Sequence, residues 1–433
     1  MELYGWGRYP RQQACLALPL SATQCAVTLA NSAPLIAYGL GRSYGDSALA
    51  SQVMGMRYLD HFEAFDVQSG VLTCQAGVSL DAILRTFVPR GWFLPVTPGT
   101  RFVTMGGAIA SDVHGKNHHG EGTFCAHVQQ LDLLLGNGER VTASPTENTE
   151  LFHATCGGMG LTGIILSATL QMKPIVASSI LQTTVKAPNL ESVLEAFAEH
   201  ASTTYSVAWI DCITRGKALG RSLLMLGEHA TDGQLTVQTK PPTPVPFDLP
   251  AALLNRFSVQ AFNTLYYGRI RQAVSQQRIA FEPFFYPLDA IGQWNRLYGK
   301  PGFVQYQFVL PQAAGVSGLR EVLSRIAESG RGSFLAVLKV FGPANANYLS
   351  FPQAGYTLAL DFKAEPAVFA LLDELDAIVL HHGGRLYLAK DARMSPATFR
   401  AGYPNWQAFE EVRGCWHAHG KFASAQSRRL GLL

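Results

Sequence analysis

The densest set of residues able to do chemistry lies at 97–120, TPGTRFVTMGGAIASDVHGKNHHG. Gly106 and Gly107 carry no Cβ, so the chain there can turn sharply and approach another group closely. Thr100 and Thr104 offer hydroxyls, and neighbouring main-chain N–H groups can converge on one anion. The run Ala108-Ile109-Ala110 then reads as buried, and Asp112, His114 and Lys116 follow where the chain comes out again. A glycine-rich turn before an ordinary loop would explain the same residues. A second loop changes the balance. LIAYGLGRSYGD (35–46) runs from a short apolar strand into Gly39, Gly41, Arg42, Ser43, Tyr44 and Gly45. Two such strand-to-turn transitions, one with a cation and a hydroxyl at its tip, could hold the two phosphates of one pyrophosphate, which points to a dinucleotide.

Two competing signals are weaker. Gly158, Gly160 and Gly163 make a formal G-x-G-x-x-G, but a helix precedes it, the strand IILSATLQM follows, and no acidic residue appears until Glu191. That context is wrong for a Rossmann site. His114, His118 and His119 could be read as a metal cluster, yet Gly115 and Gly120 argue against the helix such a site needs, so no metal is expected.

The whole chain bounds what these loops can belong to. Its 433 residues suffice for two domains with their own cores. A hydrophobic content of 48% with 15% charged residues describes a globular protein, and a net charge of +3 is too mild to point to nucleic acid. The seven cysteines are scattered, odd in number and without a C-x-x-C pair, which suits free thiols in a reducing compartment. MELYGWGRYPRQQ has no apolar signal core, and the uncharged stretch 12–41 is too interrupted by polar residues and prolines to span a bilayer. A cytoplasmic protein is expected, with peripheral contact at the inner membrane face.

The elements that must position the loops follow from pattern. A helix near 21–31 and a strand at 34–38 lead into the first glycine loop. Residues 71–92 give a strand, a turn and a helix that Ser79 could cap, with Asp81 in its first turn. Strand 127–136 and Gly136-Asn137-Gly138 predict a hairpin with ERVTA. Short strands and a helix at 190–200 fill 180–245, and KPPTPVPFDLP (240–250), with five prolines, predicts an extended surface loop. Residues 250–275 are apolar and aromatic with only basic charge; an ordinary core helix is the first reading, a lid or lipid-facing surface the second. FVQYQFVLP (303–311) alternates, with Val304, Tyr306 and Phe308 on one face and Gln305 and Gln307 on the other. FLAVLKVFG (334–342) and YTLALDF (356–362) complete an antiparallel sheet with a polar face. Helices at 317–329 and 366–382 and a closing terminal helix follow.

GLGRSYGD (39–46), AGVSLDAIL (76–84), PVTPGTRFVTMGGAIASDVHGKNHH (95–119), CGGMGLTGIILSATL (156–170) and RLYLAKDAR (385–393) together resemble the vanillyl-alcohol-oxidase (PCMH) type of FAD-dependent oxidoreductases. Within that type the similarity is nearest to the decaprenylphosphoryl-β-D-ribose 2'-oxidases, the flavin half of a cell-wall arabinose epimerase. The resemblance implies an α+β, two-domain fold. Its FAD-binding domain is discontinuous, residues 1–175 with a C-terminal segment 381–433 returning to it, and an antiparallel-sheet substrate domain spans 176–380. It implies contacts to FAD from Gly39, Gly41, Arg42, Ser43, Tyr44 and Gly45. Gly99, Thr104, Met105, Gly106, Gly107, Ser111 and His114 would add theirs from the second loop. Gly163, Ile165 and Tyr387 complete the set. Relatives that attach FAD covalently use a histidine in the first loop; GLGRSYGD has none, so the FAD is noncovalent.

Oxidising a sugar alcohol needs a hydride acceptor, a base and support for the growing oxyanion. Lys390 matches the family lysine beside the flavin ring, as base or oxyanion partner, with Tyr44 and His114 lining the ring and the substrate mouth. A lysine can be a base only if burial or a nearby cation lowers its pKa toward neutrality. Without the resemblance, Lys390-Asp391 is an ordinary surface ion pair. Lys116 and Lys339 match pocket lysines suited to a ribosyl phosphate or sugar hydroxyls, Gln305 and Gln307 the glutamines of the polar strand face, and Trp209 an aromatic residue near the sugar. Four positions depart from the family. Ala359 replaces a cysteine of the mycobacterial enzymes, Thr357 an asparagine, Phe285 a tyrosine and Val207 a serine. All lie on the substrate side, which leaves the sugar and its carrier open.

The implied reaction oxidises a secondary hydroxyl of a polyprenyl-phosphoryl pentose, as one half of an epimerisation shared with a separate NAD(P)H-dependent ketoreductase. An alditol or aldonolactone oxidase is the alternative. A non-catalytic flavin-binding protein is a third reading, which Lys390, Lys339 and Gln307 speak against. Acid precipitation of the yellow protein is expected to leave FAD in the supernatant, read by its absorbance; colour retained in the pellet would mean covalent attachment.

Overall fold

The structure, a computed structural model, describes residues 1–237, 241–250 and 253–432. The fold is α+β. After an antiparallel pair, Glu2–Tyr4 with Arg11–Gln13, comes a small parallel sheet: β1 (Cys15–Ala17), β2 (Ile36–Tyr38) and β3 (Gln52–Gly55), in the order β1-β3-β2. Helix α1 (Ala22–Ser32) connects β1 to β2, capped by the Ser21 hydroxyl, which accepts from the Gln24 N–H. An antiparallel sheet follows, built from β4 (Phe62–Asp66), β5 (Val71–Gln75), β6 (Val128–Leu134), β7 (Arg140–Ala143) and β8 (Ile164–Gln171), in the order β7-β6-β8-β5-β4. The β6–β7 hairpin turns at the glycines that predict it.

Two helices within this sheet carry the second glycine loop. Helix α2 (Leu80–Phe87) begins at Ser79, whose hydroxyl accepts from the Ala82 N–H, with Asp81 in the first turn. Helix α3 (Met105–Ala110) begins at Thr104, which accepts from the Gly107 N–H at 3.1 Å. Main-chain bonds from Gly106 N–H to Ala76 O and Met105 N–H to Val78 O tie the loop to the end of β5.

The second layer is an eight-stranded antiparallel sheet. Its strands are β9 (Ser179–Ala187), β10 (Tyr205–Ile210), β11 (Ser222–His229), β12 (Val274–Ala280), β13 (Phe303–Pro311), β14 (Ala336–Phe341), β15 (Gly355–Lys363) and β16 (Arg385–Leu386). They lie in the order β12-β9-β11-β10-β14-β15-β13-β16. Helices α4 (Leu190–Glu199), α6 (Gly315–Ser329) and α7 (Pro366–His381) cover one face, where Val304, Tyr306 and Phe308 join a single core with Val193, Leu319, Val322 and Leu371. The period-2 alternation of the strands leaves the other face for a site.

Helix α5 (Arg256–Gly268) corrects the core-helix reading of 250–275. Only Val259 and Asn263 are buried on it, while Phe257 is 80% and Leu265 76% exposed. Its periodicity is real, but one narrow stripe faces the protein and the rest of its apolar surface faces out. Residues 241–250 are extended, as the prolines require, and pair briefly through Thr243–Pro244 with Ile291–Gly292. Lys240 and residues 251–252 lie outside the described residues. Among the described residues no helix is long and apolar enough to cross a membrane, and all seven cysteines are free thiols.

The chain's end returns to its start. Leu35 N–H donates to Lys421 O and Ala423 N–H to Leu35 O. Arg429, on the terminal helix Ala425–Leu430, donates from Nη2 to Asp46 at 2.7 Å and to Asp391 at 2.8 Å. It thereby joins the first glycine loop to the Lys390 segment. Arg429→Met leaves two buried carboxylates without their cation. It is expected to cost about 3 to 5 kcal/mol in denaturant unfolding; a loss below about 1 kcal/mol would show that the clamp is dispensable.

Candidate active site

A cavity of about 660 Å³ is lined by both glycine loops and by the free face of the second sheet. That volume lies within the roughly 300–1,000 Å³ of small-molecule sites. The two loops meet there: a Cβ on Gly39 would lie 2.6 Å from Thr104 Oγ1. Arg42 packs its guanidinium 4.0 Å from the Trp6 ring centroid, and its buried Nε has no protein partner. An orphaned cationic donor between two bare glycine turns fits a pyrophosphate, so Gly39–Ser43, Thr100, Thr104, Gly106 and Gly107 could hold one. Asp289, by contrast, accepts from the Arg101 N–H at 2.9 Å and is the only carboxylate lining this cavity among the described residues.

Register assembles the other end. Gln305 pairs with Asp361, Gln307 with Ala359, Val337 with Ala359, and Lys339 with Thr357. Residues two apart share a face, so Gln305 and Gln307 of β13, Ala359 of β15, and Val337 and Lys339 of β14 form one continuous patch beside Trp209 of β10. Trp209 is fixed by its indole N–H, which donates to Phe334 O at 3.1 Å.

Three half-buried lysines face this patch from different elements. Lys390 Nζ sits 3.9 Å from the Tyr44 ring centroid. Burial brings its pKa down to about 8, against the pull of Asp361, which favours the ammonium. Asp391 pairs with Arg429 instead, so the surface-pair reading of Lys390-Asp391 fails. Lys339 is lowered to about 7 by burial and then by Lys116 and Lys390. Lys116 falls to about 7 by burial alone and donates to Phe284 O.

His114 joins two of these elements. Gln307 Nε2 lies 3.0 Å from His114 Nε2 and 3.2 Å from Thr357 Oγ1, while the Thr357 hydroxyl donates to Phe308 O at 2.8 Å. Gln307 therefore donates to both, which puts the ring proton on His114 Nδ1, 2.9 Å from Lys339 Nζ. In this arrangement Lys339 accepts, as a neutral amine. The imidazole itself is held neutral by burial and by the neighbouring lysines. Just before it, buried Asp112 accepts from Asn345 Nδ2 at 2.7 Å, Asn347 Nδ2 at 2.9 Å and the Ser350 hydroxyl at 2.6 Å, pinning the turn that carries His114 and Lys116. Tyr387 donates to Ser111 O at 2.8 Å.

The cavity brings together most of the residues singled out in the sequence, including Gly99, Ser111, Gly163, Ile165, Val207, Phe285, Ala359 and Tyr387. Gly45, Met105 and Thr357 do not line it. Gly45 is pressed against Asp391, whose carbonyl oxygen would sit 1.7 Å from an added Cβ. Met105 is in the hydrophobic core, and Thr357 reaches the site only through Gln307. The three histidines part: the Gly342 N–H donates to His118 Nδ1, and His119 Nε2 bonds to Thr203 O. His118–Glu121 forms one helical turn despite Gly120 within it, because Asn117 O accepts from both Gly120 and Glu121. Asp361, Arg429, Trp6, Tyr266 and Arg269 were missed. The alternation of YTLALDF would have put Asp361 on the face of Ala359; the others carry no local signal.

Comparison with known proteins agrees with this geometry. A family model described as an FAD binding domain matches residues 20–144. The decaprenylphosphoryl-β-D-ribose oxidase of Mycolicibacterium smegmatis is 38% identical over 456 aligned residues, covering 100% of this chain and 98% of that protein. An uncharacterized Streptomyces coelicolor protein from the mprA 5' region is 33% identical, over 82% of this chain and 100% of its own. The L-gulono-1,4-lactone dehydrogenase of Mycobacterium tuberculosis is 22% identical over 98% of both chains. The cofactor is FAD. Gly39→Val, which would drive a side chain into Thr104, is expected to weaken FAD retention by about tenfold or more with the circular dichroism spectrum unchanged; full flavin occupancy would remove the first loop from cofactor binding.

Proposed function

Since the chain belongs to the family of FAD-dependent oxidoreductases that includes decaprenylphosphoryl-β-D-ribose oxidase, we propose that it oxidises a secondary hydroxyl of a polyprenyl-phosphoryl pentose to the keto sugar. The observation that carries this reading is the convergence of Lys116, Lys339 and Lys390 at one end of the cavity, close enough that Lys116 and Lys390 both act on Lys339. Such an end favours an anionic substrate group.

Bound FAD supplies the hydride acceptor. The chain supplies the rest. Lys390 takes the hydroxyl proton and, as an ammonium, steadies the oxygen that gave it up. Gln305 and Gln307 orient the sugar hydroxyls, and Lys339 and Lys116 hold the phosphate. Trp209 packs 4.8 Å from Tyr266 of the exposed helix α5, so that apolar helix borders the cavity and suits a lipid carrier presented from the inner face of a membrane. A keto product made this way needs a separate NAD(P)H-dependent ketoreductase to invert the centre. An aldonolactone oxidase is the second reading, supported by the likeness to the lactone dehydrogenase. A panel of phosphoryl sugars, alditols and lactones, scored by anaerobic flavin bleaching, separates the two.

Lys390→Ala is expected to keep the flavin spectrum and lose at least about a hundredfold in the bleaching rate; unaltered bleaching would remove Lys390 from the mechanism. Because Lys390 must be neutral to act, bleaching at saturating substrate should rise with pH through about 8. Lys339 and Lys116 must be charged to hold a phosphate, so affinity for the phosphoryl sugar should weaken as pH climbs through about 7. A bleaching rate and an affinity that are both flat from pH 6 to 9 would contradict these assignments.

A further inference from the structure

The substrate cavity is not the only hollow that reaches the lysine centre. A second cleft of about 100 Å³ opens between the start of α5, the turn Gly330-Arg331-Gly332 and the end of β15, beside exposed Asn255 and Arg256. Tyr298 and Asp361 line it from the inside. They are only 3% and 1% exposed, yet Asp361 Oδ2 and the Tyr298 hydroxyl have no protein partner. Buried polar atoms of this kind are satisfied by water, and the cleft has room for a few molecules.

Asp361 lines the second cleft and reaches the substrate cavity through Gln305. Its Oδ1 accepts from Gln305 Nε2 at 2.5 Å, and Gln305 lines the substrate cavity. Its main-chain N–H donates to the Ser333 hydroxyl at 3.1 Å, which fixes the strand there. The charged and titratable groups around it are Lys390 from the segment after β16, Tyr44 from the first glycine loop and Tyr298. At the cleft mouth stand Arg331 and Lys363, both paired with Glu365. Lys390 lines the substrate cavity and Asp361 the second cleft, and the carboxylate favours the ammonium without a direct hydrogen bond or ion pair to it.

That placement answers a problem that the proposed reaction creates. Once cofactor and substrate fill the main cavity, water is excluded from it, and an ammonium formed at Lys390 has no solvent there to take its proton. Lys116 and Lys339 add further positive charge nearby. We propose that Asp361 is a relay residue, acting through Lys390, that receives the substrate's hydroxyl proton and hands it to water in the second cleft. This rests on Lys390 being the base. The substrate O–H bond breaks and its proton joins the Lys390 amine. No hydrogen bond or ion pair joins Lys390 and Asp361 directly, so a water between them takes a proton from the ammonium and gives one of its own to Asp361 Oδ2, and that O–H breaks in turn to give a hydronium ion in the cleft. Amine and carboxylate are restored, and no electrons move in these steps. Burial raises the carboxyl and lowers the amine, which brings their proton affinities close enough for passage between them.

The test uses FAD-loaded full-length protein, a short-chain polyprenyl-phosphoryl ribose and a pH-indicator dye in stopped flow. In the unaltered protein, proton appearance should keep pace with flavin bleaching. Asp361→Asn keeps an acceptor for Gln305 but cannot carry the proton, so release should lag bleaching by about tenfold or more. The pH midpoint of bleaching should also move down, because Lys390 has lost the carboxylate that favours its charged form. Val259→Phe, which puts bulk into the cleft and keeps the Asp361 carboxylate, should delay release and leave the midpoint in place. In FAD-free protein, a protonated-carboxyl infrared band that titrates near neutral pH should be present and vanish in Asp361→Asn. Release in step with bleaching in both variants, or no such band, would overturn the relay. If Lys390→Ala bleaches normally, the base assignment fails and the relay with it; if Lys390→Ala is inactive while Asp361→Asn releases protons on time, the relay alone fails.

Discussion

One guanidinium holds the site in register. Arg429, almost at the chain's end, grips Asp46 at the close of the first glycine loop and Asp391 beside Lys390. A buried carboxylate is tolerated only when it is paired, so each of these aspartates needs that cation, and the cation forces them together. The Tyr44 N–H to Ala389 O bond at 3.1 Å and the press of Gly45 against Asp391 follow from the same closure. Lys390 then has one place to go, over the Tyr44 ring. The loop suited to the cofactor and the lysine suited to the chemistry are brought together by residues nearly four hundred positions apart.

The cavity's electrostatics follow from burial more than from composition. A chain of net charge +3 gathers three lysines around one small volume, where desolvation pushes each toward neutrality and Lys116 and Lys390 add their repulsion at Lys339. Such a group responds strongly to an arriving anion, which restores charge to the lysines it touches. Hydrogen-bond direction sharpens the division. Gln307 donates both ways, through His114 to Lys339 as acceptor and through Thr357 to Phe308 O, whereas Lys390 answers to Asp361. Two lysines of the same type are given different proton inventories by their second neighbours.

How much of this could be read in the residues depended on the range of the interaction. Ser79 as a cap, the hairpin at Gly136-Asn137-Gly138 and the two faces of FVQYQFVLP are local, and each forms where the pattern places it. The glycine loops were legible as turns, and the resemblance added which residues accompany them. Helix α5 was misjudged because a 3.6-residue period reports that a face exists and not whether anything covers it. The resemblance implies Met105 as a contact, yet the first turn of α3 points it inward. Arg429 carries no local mark, and the alternation of YTLALDF places Asp361 on a face without giving it a role. Their roles come from partners far along the chain, and only closure of the fold discloses them.

The central claim is that both glycine loops bind one diphosphate and so set a flavin ring before Lys390. A crystal structure of the FAD-loaded protein tests it most directly. The account predicts pyrophosphate oxygens within hydrogen-bonding distance of main-chain N–H groups in both 39–43 and 104–107, and Lys390 Nζ within about 4 Å of the isoalloxazine. A pyrophosphate held by one loop alone, or a ring with its reactive edge turned away from Lys390, would contradict it.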